Sequence, residues 1–236
     1  MKGRALTVTG EELLDATALS RAATVTAGAA TPAQIVTELM LLLSFFISGC
    51  TALAYQVGWQ RALFAQIGVD IDSITIIVSV FMLGIGVGAM IGGWLADIMP
   101  RRRLHLYGLV ELSIGVFGIF SLQLLGGLVA TLAPPGTGVA ASTVACFVFL
   151  LVPTVLMGMT LPLLTMEFDE RRDNIGVSVG TLYFTNTLGA AAGAALVPLH
   201  LLNAWTLPQV ILMAALGNFA VIACVLLAVL ATRQGR

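Results

Sequence analysis

The stretch Leu104–Gln123, LHLYGLVELSIGVFGIFSLQ, decides the fold, because it is a predominantly apolar run of about 20 residues. At about 1.5 Å per residue, a helix of this length crosses a hydrocarbon core that is about 30 Å thick. One carboxylic acid, Glu111, interrupts the run. A carboxyl group at that depth is costly unless it meets a partner or a watery cavity, so Glu111 is the first candidate for a functional site.

Glycines surround Glu111 at helical spacing. Gly108, Gly115 and Gly118 stand three residues before it and four and seven residues after it. Residues at these spacings share one face of a helix, and glycine adds no side chain to that face. We therefore expect another helix or a ligand to approach the carboxyl group closely.

The composition of the chain excludes a soluble domain. It is 58% hydrophobic and 10% charged, whereas soluble domains carry about 25% charged residues. The net charge of −1 predicts no nucleic-acid partner. No cofactor or metal site is predicted either, because the cysteines lie in apolar runs without a CxxC pair and the two histidines lie near predicted helix ends. These residues are Cys50, Cys146, Cys224, His105 and His200.

Six apolar runs are each long enough to cross a bilayer. Only helices satisfy the backbone of such runs in lipid, so the prediction is an all-α, polytopic membrane protein. Residues 1–34 are predicted to form a polar, partly flexible cytoplasmic segment, residues 35–232 the six-helix transmembrane domain, and residues 233–236 a cytoplasmic tail. The predicted spans are Ile35–Val57, Ser73–Leu95, Leu104–Gln123, Val139–Leu164, Val177–Leu201 and Leu207–Ala231.

Basic residues predict the orientation of these spans. Of the 11 Lys and Arg residues, only Arg61 falls on one side of the six-span topology, and all the others fall on the opposite side. Because basic loops remain in the cytoplasm, both termini are predicted to be cytoplasmic, in the inner membrane of the cell. Trp59 and Trp205 are then expected at the outer interface.

Small residues recur every four positions on two of the spans. Such stripes let a neighbouring backbone approach, so we predict tight helix packing there rather than a ligand site. Ile77, outside the stripe, is expected to face lipid. The stripes consist of Gly84, Gly88 and Gly92 on the second helix and Gly189 and Gly193 on the fifth.

The segment Gly92–Arg103, GGWLADIMPRRR, ends the second span and opens the third. By itself this segment indicates a helix end that basic residues hold on the cytoplasmic side of the membrane. Its order of Gly-x-Leu-Ala-Asp followed by arginines also resembles the signature loop between helices two and three of the major facilitator superfamily. The resemblance implies a half-facilitator-like bundle and a cytoplasmic gate, in which the Asp caps and pairs. The candidate gate-loop residues are Gly93, Asp97, Arg101, Arg102 and Arg103.

Four further segments resemble the membrane domain of the spermidine synthase-like integral membrane family. They are Ser48–Arg61, Phe81–Gly88, Pro153–Pro162 and Leu182–Ala190. Two departures limit what the resemblance implies. Gln56 stands where family members commonly carry Glu, and the aminopropyltransferase-like domain with its Gly-rich loop is absent from this sequence. The resemblance therefore does not imply spermidine synthesis, and we expect no enzyme activity.

Polar residues at membrane depth supply the remaining chemistry. Ser44, Ser48, Thr51 and Tyr55 form one stripe on the first helix. These groups either form hydrogen bonds between helices or line a polar cavity together with polar residues of other spans. The candidate cavity residues are Glu111, Tyr55, Gln56, Tyr183 and Asn186.

Two functions from different classes fit this sequence. The first is a half-size transporter of a small solute, which would need a second copy or a partner protein to enclose a path. The resemblance to a polyamine-related family favours a cation as that solute. The second is a non-catalytic accessory subunit, which docks on a larger membrane complex or recruits a separate synthase-like chain. Both place the protein in a lipid bilayer, as a homodimer or within a membrane protein complex.

Overall fold

The computed structural model describes residues 31–67, 71–134, 136, 137, 139–172 and 174–234, and every regular element in these ranges is helical. Six helices are long and apolar enough to cross a membrane, which confirms the predicted all-α membrane protein with six spans. A 3-10 turn, Pro100–Arg102, joins α2 to α3, and a π-helical turn, Val197–Leu201, follows α5. The helices are α1 Pro32–Ile67, α2 Ile71–Ile98, α3 Arg103–Leu132, α4 Val139–Arg172, α5 Ile175–Leu196 and α6 Leu207–Gln234.

The predicted terminal segments fall largely outside this description. Residues 1–30 of the polar N-terminal segment and residues 235 and 236 of the tail lie outside the described residues. Residues 31–34 include the start of α1 at Pro32, and Gln234 ends α6.

Two helices continue about ten residues beyond their predicted ends. α1 runs to Ile67 and α3 to Leu132, because apolar packing between the helices continues past the predicted ends at Val57 and Gln123. Trp59 shows this best. Its side chain is fully buried in the bundle. Its indole stacks on Tyr55 with ring centroids 4.7 Å apart, and its Nε1 donates a hydrogen bond to Ser121 Oγ at 3.0 Å.

Helices α1 and α4 are the two central helices of the bundle. α1 packs against α5 and α6, whereas α4 packs against α2 and α3, and α3 packs against α6. This pairing is unchanged when α1, α2 and α3 are exchanged with α4, α5 and α6. The main packing partners of α1, α2 and α3 are therefore equivalent to those of α4, α5 and α6.

Contacts between the helices fix their relative directions. Ser48 and Trp59 on α1 meet Glu111 and Ser121 on α3 in the same order, so these two helices run parallel. On α6 the order is reversed, since Gly217 approaches Thr51 and residues nearer its start approach Gly58. All six helices alternate in this way, so the beginning of α1 and the end of α6 lie on the same side as Arg101–Arg103. We call this side the basic end.

The glycine stripes lie at backbone contacts. Gly88 and Gly92 face the backbone of α4, and Gly84 faces the side chain of Thr154 on the same helix. A methyl group added at Gly92 would lie 2.7 Å from the Cα atom of Met159. Gly189 and Gly193 face the carbonyl groups of Phe46 and Cys50 on α1 in the same manner. These contacts attach α2 to α4 and α5 to α1 with no room for larger side chains.

One expectation for α2 is wrong. Ile77, expected to face lipid, is 1% exposed. The reason is its spacing, since Ile77 stands seven residues before Gly84 and therefore shares the face that packs inward.

Candidate functional site

Glu111 is fully buried on α3, where it faces α1 and α6. Ser48 Oγ on α1 donates a hydrogen bond to Glu111 Oε1 at 2.6 Å, and Asn218 Nδ2 on α6 donates one to Glu111 Oε2 at 2.7 Å. Each carboxyl oxygen thus accepts a hydrogen bond from a neutral side chain of another helix. This pairing offsets part of the cost of holding a carboxyl group inside the apolar bundle.

Further buried polar groups extend the network in both directions along α1. Towards the end opposite the basic end, Tyr55 Oη donates a hydrogen bond to Asn218 Oδ1 at 3.0 Å. Towards the basic end, Ser44 Oγ and Tyr107 Oη lie 3.4 Å apart. Ser44, Ser48 and Tyr55 of the stripe predicted on α1 therefore form hydrogen bonds with α3 and α6, whereas Thr51 Oγ1 donates to the carbonyl of Ser48 within α1.

The glycines of α3 make room for this network. A methyl group added at Gly118 would overlap the ring of Tyr55, and one added at Gly115 would lie 3.2 Å from Asn218 Cβ. Larger residues at these two positions would push α1 and α6 away from α3. The glycine face predicted around Glu111 thus receives both helices that carry its hydrogen-bond donors.

A cavity of about 230 Å³ lies beside the network and is lined by residues of all six helices. Ser48 and Asn218, the two donors to Glu111, both line it. Glu111 itself is not part of the lining. The other polar lining residues are Thr51, Gln56, Thr160, Tyr183 and Asn186, and the apolar walls include Phe81, Ile85, Ile114 and Met157.

The predicted cavity residues occupy two connected layers. Gln56, Tyr183 and Asn186 line the cavity directly, and Tyr183 is 61% exposed, so the cavity reaches the surface of the bundle. Glu111 and Tyr55 lie one residue behind the cavity wall, bonded to Ser48 and Asn218. A group in the cavity would contact the donors of Glu111 before it contacts the carboxyl group.

Asn218 is the site residue that the sequence reasoning missed. It is 1% exposed and connects α6 to both Glu111 and Tyr55. A signal was present, because Asn218 is an amide near the middle of the apolar run Leu207–Ala231. The reasoning that selected Glu111 selects Asn218 as well.

The candidate gate loop separates into exposed residues and one buried arginine. Asp97, Arg101 and Arg102 are exposed, and Gly93 has open space beside it. Arg103 is 6% exposed and forms an ion pair with Glu170 at the end of α4. Its Nε also donates to the carbonyl of Ala96 at 2.8 Å, and its Nη1 donates to that of Met166 at 3.2 Å. Arg103 therefore joins the basic ends of α2, α3 and α4.

Within the described part of the chain, no group of three or more His, Cys, Asp or Glu side chains is arranged to hold a metal ion. No family model, no curated protein and no solved structure matches this chain. The cavity and the hydrogen-bond network behind it are therefore the features that point to a function.

Proposed function

We propose that this chain is a half-size membrane transporter that binds a small cationic solute in the cavity between its helices. One observation carries the proposal: an intramembrane cavity is lined by hydroxyl and amide side chains and backed by a buried carboxyl group. Polar groups at this depth are costly in lipid and mark the pathways of solutes and ions. Binding sites near the midplane, between packed helical repeats, are typical of secondary transporters.

The hydrogen bonds in the wall favour a cation. Ser48 has one hydroxyl proton and donates it to Glu111, so that hydroxyl retains only acceptor capacity for a solute. Both oxygens of Glu111 accept from neutral groups. The arginine on α3, Arg103, lies about 12 Å away along the helix axis at 1.5 Å per residue and is paired with Glu170. A positive solute would supply the charge that this site lacks.

The packing of the helices supports a carrier built from two such bundles. The two exchangeable three-helix halves correspond to the repeat organisation of many transporter folds, and the sequence resemblance to the facilitator superfamily agrees with it. In this proposal both termini are cytoplasmic and the protein lies in the inner membrane. A homodimer or a complex with a related chain completes the pathway.

The accessory subunit remains a second candidate, and α5 favours it. The most apolar part of α5 is the least buried of the six helices, although its exposed side carries Tyr183 and Thr187. Polar groups exposed at membrane depth are expected to be covered by protein. Either a second copy or a different membrane protein fits this requirement.

Vesicles that contain the purified protein test the proposal with radiolabelled putrescine, a small diamine. We expect uptake above that of protein-free vesicles, and a loss of about tenfold or more for Glu111→Gln, which corresponds to about 1.4 kcal/mol. Asn186→Leu should also lose uptake. Gln123→Leu, a change at an exposed position of α3, serves as the control and should leave uptake unchanged.

Two results decide against the transporter. Full uptake by Glu111→Gln would show that the carboxyl group has no part in solute binding. No uptake of putrescine or of monovalent cations, together with copurification of a partner in fixed ratio from native membrane, would establish the accessory subunit instead.

A further inference from the structure

A second cavity, of about 280 Å³, lies on the outer side of the bundle between α3 and α6, towards the basic end. Its floor is buried, with Leu104 and Val225 8% and 4% exposed, whereas Leu109 and Leu226 on its rim are more than half exposed. Except for His105, every lining side chain is apolar. We call this cavity the α3/α6 groove, and the remaining lining residues are Gly108, Leu112, Ile222 and Val229.

The packing between α3 and α6 is looser at Gly108 than at Gly115. At Gly115 the two helices touch, since an added methyl group would lie 3.2 Å from Asn218 Cβ. Seven residues earlier, at Gly108, the nearest atom to such a methyl group is Val225 Cγ1 at 3.8 Å. The missing side chain of Gly108 leaves space that neither helix fills.

Positive charge lies at the basic end of the groove. His105 lines the groove and is exposed, and the exposed residues Arg101 and Arg102 precede it by four and three positions. Asp97, in the last turn of α2, is the acidic residue nearest to them in sequence, and Glu170 at the end of α4 is paired with Arg103, so Arg101 and Arg102 outnumber Asp97 beside the groove. An apolar groove that leads to a cationic cluster matches an amphiphile with an anionic head.

We propose that the α3/α6 groove binds one acyl chain of an anionic phospholipid, whose phosphate group lies at Arg101, Arg102 and His105. The groove faces outward along two helices long enough to span a membrane, where acyl chains are the surrounding solvent. Basic pockets beside membrane helices select lipids by their headgroup charge. This site is separate from the solute cavity and does not depend on the proposed transport.

Native mass spectrometry of the detergent-purified protein tests the site, with phosphatidylglycerol and phosphatidylcholine of identical acyl chains added in equal amounts. We expect phosphatidylglycerol adducts to exceed phosphatidylcholine adducts by about fivefold or more, the factor for about 1 kcal/mol of headgroup attraction. Gly108→Phe fills the groove and should remove most of both adducts. The matched control is Gly127→Phe on the same helix, where an added side chain meets open space, and it should leave both adducts unchanged.

The double substitution Arg101→Gln with Arg102→Gln separates the headgroup from the acyl chain. Both arginines are exposed, so the double variant should fold, retain lipid and bind the two lipids equally. Equal adducts in the unchanged protein would overturn the proposal, as would full retention by Gly108→Phe. Equally strong binding of glycerol phosphate without acyl chains would also overturn it. So would a dimer that forms with loss of the adducts, since a second copy would then occupy the groove.

Discussion

Asn218 on α6 donates a hydrogen bond to Glu111 on α3 through its Nδ2 atom at 2.7 Å, although 107 positions separate the two residues. The same amide accepts a hydrogen bond from Tyr55 Oη on α1 through Oδ1. Only a side chain with both a donor and an acceptor satisfies these two neighbours in these positions. Asn218 therefore fixes the relative positions of three helices and orients one wall of the solute cavity.

The first prediction concerns this contact. Asn218→Leu removes the donor to Glu111 and leaves a buried carboxyl oxygen without that partner, which costs about 1–3 kcal/mol. We expect a lower free energy of unfolding in detergent for Asn218→Leu and for Glu111→Leu. The double variant should be destabilised by less than the sum of the two single changes, since residues in one network are coupled.

Gln123→Leu is the control for that cycle, because Gln123 is exposed on α3. Its effect should be small and should add to that of Asn218→Leu. Strict additivity between Asn218→Leu and Glu111→Leu would contradict the energetic link between the two residues.

The second prediction tests the backbone contact between α2 and α4. Gly88→Leu places a side chain against Val155 and Gly158, where overpacking costs about 1–3 kcal/mol or more. We expect a clear fall in the melting temperature in detergent. Gly86→Leu introduces the same side chain two residues away, where no atom lies within 4 Å. Leucine favours a helix more than glycine does, so a comparable loss of stability for both variants would show that the backbone contact at Gly88 does not determine the effect.

Length and hydropathy predict the six helices because the bilayer sets both quantities. The close approach of other helices to Glu111 also follows from local spacing, since Gly115 and Gly118 share its helix face. Patterns within one stretch of sequence do not predict which helices become neighbours in the bundle. Nothing in the sequence near Asn218 indicates that α6 lies beside both α1 and α3, and so its link to Tyr55 across 163 positions appears only in the folded chain.

Two further side chains show what local sequence rules leave out. The usual position of tryptophan in membrane proteins predicts only the depth of Trp59, whereas its packing against Phe117 and Phe149 inside the bundle appears only in the folded chain. Arg103 belongs to a cluster of three arginines, which the positive-inside rule treats as equivalent. Helix packing distinguishes the three arginines. Arg103 is buried and contacts the end of α4, whereas Arg101 and Arg102 are exposed.

The third prediction tests the orientation. The chain reverses direction at each of its described helix connections, so the loop after α3 and the end of α4 lie on opposite sides of the bundle. A cysteine placed at Pro134 should react with a membrane-impermeant maleimide added outside intact cells, whereas a cysteine at Arg172 should react only after the membrane is opened. The unchanged protein, whose cysteines all lie within the helices, is the background control. The reverse labelling pattern would place both described ends of the bundle outside the cell.

The last prediction concerns the contacts of Arg103 at the basic end. Three groups accept hydrogen bonds from its guanidinium: the carbonyls of Ala96 and Met166 and the carboxylate of Glu170. Lysine retains the charge but lacks the planar fork that reaches several acceptors at once. We expect Arg103→Lys to lower the free energy of unfolding by about 1–3 kcal/mol, since at least one buried carbonyl loses its donor. Glu170 is 57% exposed, so Glu170→Gln should cost less than about 1 kcal/mol. Arg102→Lys, at an exposed position, should have no measurable effect. Chemical unfolding of the three variants in one detergent gives this order directly. If Glu170→Gln were as damaging as Arg103→Lys, the ion pair rather than the two carbonyl contacts would hold the basic ends of α2, α3 and α4 together.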